Sequence, residues 1–439
     1  MRSIFLFKRD LRIEDNKALF EAFKNSNEII PVFIFNNKIL KEFNSYNQKL
    51  GFIIEAIKKL SKKINLYIFY GEDKEILEFL ILKYKPEALF TAKSFSWSGE
   101  KRNNEIKKIC DKNKIKFIDI FDNFLVDFRQ INYTKVFTPF YKKWTNLVDD
   151  KEINLDIKKL NQKIVSLKMD KINNFLIKNN NLNFENKIWK YNFGFKRLKT
   201  FDFINYNQTK NFPGIDGSSK LSPYIRFGVI SIRKIFNQVK DLSENYIREL
   251  AWREFWYHIK FYFNEFYNLE FQEKRRNLIW ENNKDFIEKF FNAQTGYPIV
   301  DAGIIQLKTE NWVHNRVRMI LANFLTKDLL VDWRIGEKFF KDYLLDYDEV
   351  VNVGNWQWSA SVGPDPKPFR IFNPMIQSQK FDLECIYIKK YIPELKKEEN
   401  YKIHNPLKYK LNYYSPIINH FSAIKKAKNI FLKKNIINL

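Results

Sequence analysis

Ile4-Phe-Leu-Phe7 and Ile29-Ile-Pro-Val-Phe-Ile-Phe35 stand on either side of Asn16-Lys-Ala-Leu-Phe-Glu-Ala-Phe23. The outer runs are short and wholly apolar, whereas the middle stretch alternates with a helical period. The same rhythm continues through Leu66–Tyr70, Ala88–Thr91 and Phe117–Phe121, with helical patterns at Ile53–Lys62, Ile76–Tyr84 and Glu100–Cys110. Strand, helix, strand in this order predicts an α/β N-terminal domain over residues 1–125, a Rossmann-like parallel sheet with crossover helices. No G-x-G-x-x-G follows the first run, and no phosphate loop ending in Gly-Lys-Ser or Gly-Lys-Thr occurs. The usual dinucleotide and phosphate-loop modes are therefore not indicated.

Working outward, residues 126–200 lose the pattern and become rich in Lys and Asn, as in Lys178-Asn-Asn-Asn-Leu-Asn183. This stretch reads as a connection between domains. From 201 to 439 the chain turns helical and aromatic, as at Tyr246–Phe263, Asp285–Phe291, Ile299–Lys308 and Arg316–Leu330. The architecture expected is an α/β domain followed by a mostly helical one.

At 439 residues, 45% hydrophobic and 17% aromatic, the chain can bury two cores. Its two Cys, Cys110 and Cys385, form neither a disulfide framework nor a metal-ligand spacing, so a reducing cytoplasm is expected and no metal. The first residues are apolar for too short a run to be a signal peptide, and no stretch is long enough for a membrane helix. A net charge of +25 suits a polyanion such as nucleic acid, but the Lys residues are scattered, as biased coding would also produce.

Four clusters in the helical half carry chemistry. In Pro213-Gly-Ile-Asp-Gly-Ser-Ser-Lys-Leu-Ser222, Gly217 permits a tight turn and the Ser hydroxyls sit beside Lys220. That is either a phosphate-holding turn or an ordinary capped loop. In Glu249-Leu-Ala-Trp-Arg-Glu-Phe-Trp256, residues Glu249, Trp252, Arg253 and Trp256 share one side of a helix, as a ligand surface or as an internal salt bridge. Trp312-Val-His-Asn-Arg-Val-Arg-Met319 puts His314 four residues before Arg318 and Asn315 four before Met319. Its forked Arg donors suit phosphate or carboxylate, and His314 is either a base or structural. Finally, Leu345-Asp-Tyr-Asp-Glu-Val-Val-Asn-Val-Gly-Asn-Trp-Gln-Trp358 offers Asp346 and Asp348 as acceptors, and places Trp356 and Trp358 on different sides of Gln357.

Together these motifs resemble the photolyase and cryptochrome family over nearly the whole chain, most closely the class I photolyases for cyclobutane pyrimidine dimers. The resemblance starts at Phe7-Lys-Arg-Asp-Leu-Arg-Ile-Glu-Asp-Asn16 and resumes at Val136-Phe-Thr-Pro-Phe140. It is densest from Gly296-Tyr-Pro-Ile-Val-Asp-Ala-Gly303 to Phe369-Arg-Ile-Phe-Asn-Pro374.

The resemblance implies FAD, bent into a U within the helical domain. Tyr206 and the turn of Ser218, Ser219, Lys220, Leu221 and Ser222 would hold its phosphates and ribityl chain. Asp346, Tyr347 and Asp348 would line the isoalloxazine, with Arg318 paired to Asp346 and Asn352 facing N5. An amide there accepts the N5–H of a reduced flavin, where plant cryptochromes place an acid.

It further implies a dimer pocket made by Glu249, Trp252, Asn315, Met319 and Trp358, where indoles stack on an extruded lesion. Arg253 and Trp256 extend that DNA-binding face, and Lys210, Arg316, Arg370 and Gln377 would contact the strand. The implied reaction is electron transfer from light-excited reduced FAD to the dimer and back. Trp356, Trp333 and Trp280 match the family's tryptophan chain for re-reducing the flavin.

Lys220 and Ser218 replace the family's usual Arg and Thr, and Phe95-Ser-Trp-Ser-Gly-Glu-Lys-Arg102 departs from the pattern where some relatives bind a folate antenna. A second chromophore is left open: a flavin, a deazaflavin, a folate or none. The expected activity is light-dependent repair of cyclobutane dimers in DNA, by a monomer. The alternatives are a cryptochrome-type photoreceptor, for which the Lys-rich tail from Ile418 to Leu439 leaves little signalling extension, or a (6-4) photolyase.

Overall fold

A computed structural model of the chain describes residues 1–36, 47–167, 188–367 and 369–432. The Lys- and Asn-rich run 178–183 and the tail beyond 432 lie outside the described residues. Strands β1 (Arg2–Phe7), β2 (Glu28–Phe35), β3 (Tyr67–Tyr70), β4 (Ala88–Ala92) and β5 (Lys116–Ile120) form one sheet in the order β3-β2-β1-β4-β5. All four pairings are parallel. Each of the five apolar runs is a strand, and helices Lys17–Asn25, Asn47–Ser61, Asp73–Tyr84 and Trp97–Lys112 connect them.

Burial of both sheet faces explains why the runs are continuous rather than alternating. Ile4 and Leu6 of β1 join Ile30, Val32 and Ile34 of β2 in a core closed by Leu77, Leu80 and Ile106. Phe5 and Phe7 point to the other face and meet edge to face at 4.6 Å. Asn16 and Ser96 cap their helices by accepting from Leu19 N and Gly99 N, which fixes where two crossovers begin.

The chain forms two compact units. The first comprises residues 1–131, 143–201 and 220–254; the second comprises 132–142, 202–219 and 255–439. These cut the chain at other points than 125 and 200. Parts of the stretch 126–200 are regular, as helices Phe137–Thr145, Ile157–Lys163 and Tyr191–Thr200. Within the first unit, Val165 N bonds Ile29 O at 3.0 Å, so this segment is tied to the sheet.

The loop after β1 owes its wording to a buried ionic network in the first unit. Arg233 bonds Asp15 at 2.8 Å and Asp122 at 2.6 Å, and Arg12 bonds Asp122 at 2.6 Å. All four side chains are at most 3% exposed. Burial alone would raise the Asp122 carboxyl, but Arg12 and Arg233 hold it below its ordinary value. Removing one partner would strand a buried charge, at a cost of about 3–5 kcal/mol.

The second unit is helical, with Pro298–Glu310, Asn315–Asn323, Trp333–Tyr343, Glu349–Ser359, Pro374–Phe381 and His420–Leu432 as its main elements. The single helix expected over Arg316–Leu330 instead breaks into a π-helical turn at Phe324–Asp328. Thr326 there returns its hydroxyl to Ala322 O at 2.7 Å, a side-chain bond that competes with the α ladder. No helix among the described residues is long and apolar enough to cross a membrane.

Candidate functional site

Helices Trp333–Tyr343 and Glu349–Ser359 pack against each other and bring Glu337 to Asn352. Glu337 is buried, and its Oε1 accepts from Asn352 Nδ2 at 3.0 Å and from the Tyr347 hydroxyl at 2.9 Å. The Glu337 backbone oxygen takes a second bond from the same amide at 3.3 Å. A carboxylate and a carbonyl can only accept here, so the Asn352 NH2 must face Glu337 and its Oδ1 must face away. That oxygen belongs to a buried residue and has no donor among the described residues, which suits a ligand N–H. Burial raises the Glu337 carboxyl, against the hydrogen bonds from Asn352 and Tyr347. Tyr347 is pushed far above its ordinary value by burial and by Glu337, so it stays a neutral donor.

Arg318 pairs with Asp346 at 2.8 Å, while its Nε donates to Val313 O at 2.8 Å. The Asp346 side chain is 4% exposed and that of Arg318 is 24% exposed, so the pair is shielded. Asp348 does different work. It caps helix Glu349–Ser359 by accepting from Val350 N and Val351 N, and it receives the Tyr257 hydroxyl at 2.8 Å. His314 is also a cap, accepting from Arg316 N at 3.2 Å at the start of helix Asn315–Asn323. Asn315 is exposed and points its amide at Met319 Sδ, 3.9 Å away.

The three tryptophans differ in surroundings. Trp356 is buried, meets Phe340 edge to face at 4.9 Å, and lies against Gly336. A Cβ at Gly336 would fall 2.2 Å from Trp356 Cη2, so glycine is required there for space. Trp333 is buried and its indole N–H points at Glu270. Trp280 is half-buried, edge-on to Phe431.

In the Ser-rich turn, Gly217 is needed for close approach, since a Cβ would meet Thr209 O at 2.4 Å. The left-handed backbone falls instead on Lys220, with φ of 57°, an unfavourable conformation for a long side chain. Ser219 is buried, and Leu221 and Ser222 open the short helix Ser222–Arg226. The Lys210 ammonium lies 5.4 Å from the Tyr206 ring.

Glu249, Trp252 and Arg253 lie on helix Glu244–Tyr262 and are half-buried; Arg253 donates to Asn123 O at 3.0 Å and stacks on Phe124. Trp256, expected on the DNA-binding face, is a correction. It is 1% exposed and pressed against Gly354, whose Cβ would fall 2.3 Å from it, leaving no face for a base. The neighbouring Glu254, passed over in the sequence, is fully buried. Its carboxyl is raised to about 6 by burial, against bonds from Leu125 N, Val126 N and Trp144 Nε1.

The remaining DNA candidates are held from within the second unit. Arg316 bonds Asn211 at 2.7 Å and stacks on Phe381, and Arg370 pairs with Asp365 and stacks on the half-buried Trp358 at 4.4 Å. Gln377 Oε1 is buried without a partner among the described residues. Sequence spacing also missed Glu337 and Glu270, whose partners lie 15 and 63 residues away, beyond any local pattern.

Residues 246–433 match the family model described as the FAD binding domain of DNA photolyase, and residues 3–156 match the one described as DNA photolyase. The chain is 34% identical to the deoxyribodipyrimidine photo-lyase of Alkalihalophilus pseudofirmus, over 97% of this chain and 96% of the relative. It is 33% identical to that of Buchnera aphidicola subsp. Acyrthosiphon pisum, over 98% and 96%. Among solved structures it matches an archaeal photolyase from Sulfolobus tokodaii that holds two FAD molecules. The TM-score is 0.89 at 30% identity, covering 99% of this chain and 100% of that one. A Synechocystis cryptochrome, at TM-score 0.86 and 22% identity, covering 98% of this chain and 99% of that one, shares the fold.

A five-stranded parallel α/β domain followed by a helical FAD-binding domain defines a flavoprotein of two parts. The chain belongs to the DNA photolyase family.

Proposed function

We propose that this chain repairs cyclobutane pyrimidine dimers in DNA under light, as a class I photolyase acting within the cell as a monomer. The observation that carries the reading is Asn352, whose amide oxygen is turned outward by Glu337. The name borne by the full-length relatives supports the same activity.

FAD, when bound, would supply light absorption and the electron that opens the dimer and is afterwards returned. Asn352 would accept the N5–H through Oδ1 and so favour the reduced form. Asp346 would bond the isoalloxazine edge while Arg318 neutralises it. Tyr347 would line the ring, and Asp348 would fix the helix that carries Asn352. Tyr206, Ser218, Ser219, Lys220, Leu221 and Ser222 would hold the phosphates and ribityl chain.

Toward the lesion, Glu249 and Asn315 would bond the pyrimidine edges, Trp252 and Trp358 would stack on it, and Met319 would pack beside it. Arg253 would keep Trp252 in place through its bond to Asn123. Lys210, Arg316, Arg370 and Gln377 would meet the strand, the cations making binding fall with salt. Trp356, Trp333 and Trp280 would carry electrons inward. A second chromophore would sit at the carboxyl ends of β1 and β4, where the strand order reverses.

Chromatography of a dimer-containing oligonucleotide, lit with the reduced protein, tests this reading. Intact pyrimidines and a dark control without them are expected. Turnover of (6-4) products alone would make it a (6-4) photolyase, and no repair at full FAD occupancy would favour a photoreceptor.

A further inference from the structure

The two buried indoles of the relay sit in opposite electrostatic settings. Trp356 Nε1 is buried with no acceptor among the described residues, between Phe340 and the backbone at Gly336. Trp333 Nε1 donates to Glu270 Oε1 at 3.3 Å, and the Glu270 side chain is 4% exposed. Arg334 shares that oxygen at 2.8 Å and lies over the Trp333 ring at 4.7 Å. Asp332 bonds Arg334 at 3.1 Å, and Arg276 donates to the Glu270 backbone oxygen while facing Glu273 at 3.8 Å. The Trp333 N–H is therefore held by a shielded carboxylate, and Arg334, paired with both Glu270 and Asp332, is the cation that faces the ring.

We propose that Glu270 gives the relay its direction, by stabilising positive charge on Trp333 relative to Trp356. This deepens, and rests on, the reading of Trp356, Trp333 and Trp280 as an electron relay. When Trp356 gives up an electron inward, it becomes a cation whose indole N–H has no acceptor among the described residues. Trp333 then returns one electron to Trp356 and takes the charge. No bond breaks: the Trp333 proton stays on nitrogen, held by the Glu270 carboxylate in a hydrogen bond that has become charge-assisted at both ends. An electron from Trp280, and finally from an external thiol that is oxidised, restores the chain.

Arg334 opposes this, because a cation over an indole face penalises a second positive charge. Its effect is the weaker one. Its side chain is 35% exposed and screened by water, whereas Glu270 is shielded and bonded directly to the N–H. Glu270 is thus a positioning residue for charge, with no contact to substrate required.

The test is photoreduction of oxidised FAD in the whole protein with a thiol donor, followed by transient absorption of the indole radical cation. Glu270→Gln keeps an acceptor near Trp333 but removes the charge, and should slow photoreduction about tenfold, the difference between a charged and a neutral hydrogen bond. Glu270→Asp should recover much of the rate. Arg334→Met should act in the opposite sense and prolong the radical cation, a reversal that damage to the fold would not give. Trp333→Phe should abolish photoreduction. If Glu270→Gln matches the wild type while Trp333→Phe is dead, the proposal fails and the relay stands. If Trp333→Phe photoreduces normally, the relay reading itself fails.

Discussion

Asn352 directs its amide nitrogen to Glu337, 3.0 Å from Oε1 and 3.3 Å from the backbone oxygen. This bond decides which end of the amide a ligand meets. It also ties a helix contact to the chemistry of the site, since Glu337 and Asn352 come from neighbouring helices.

Glu337→Leu should therefore release the amide to rotate without removing it. The expected result is normal FAD content, with reduced cofactor reoxidising in air about five- to tenfold faster, as loss of roughly one hydrogen bond implies. The decay of the reduced-flavin absorption measures it. An unchanged decay would mean that Glu337 does not set the amide.

The Arg318–Asp346 pair makes a second prediction. Asp346→Asn leaves a shielded guanidinium with half its compensation, and should lower the unfolding free energy by about 2–3 kcal/mol, less than a fully buried pair because Arg318 is partly solvated. Denaturant unfolding of the FAD-loaded protein gives the number, and retained FAD after gel filtration separates cofactor loss from fold loss.

Lys327 supplies a pH dependence. It is fully buried on the π-helical turn, bonded to Ala360 O, with its ammonium 3.8 Å from the Phe431 ring. Burial, and then Arg275, lower it well below its ordinary value. Between the lowered value and the ordinary one the unfolded chain binds more protons, so stability rises with pH there. The wild type should gain on Lys327→Met in unfolding free energy as pH goes from about 7 to about 10. A gap that stays constant across this range would contradict the assignment.

Much of this architecture is legible in the sequence because it rests on local pattern. The runs at Ile4–Phe7 and Ile29–Phe35 became strands because each is apolar on both faces, and the edge run Phe117–Phe121 became one although it carries Asp119 and is only partly buried. What spacing could not supply was direction and partnership. Glu249, Trp252, Arg253 and Trp256 share a helical side on paper, yet Trp256 is buried against Gly354. The spacing likewise gave no sign that Asp348 and His314 each cap a helix. Glu337 and Glu270 gave no signal, since an isolated Glu is ordinary until the fold brings a second helix to it.

Glu249→Ala tests the lesion contact. Repair of dimer-containing DNA should fall by about tenfold or more, as for loss of a hydrogen bond to the reacting bases, while FAD content stays within error. Parallel loss of both would move Glu249 from the substrate to the cofactor.

FAD held by the helical half would show in the absorption spectrum of the purified protein. About one FAD per chain is expected, with flavin bands that bleach on chemical reduction and reappear in air. A colourless protein that takes up no FAD on reconstitution would contradict it.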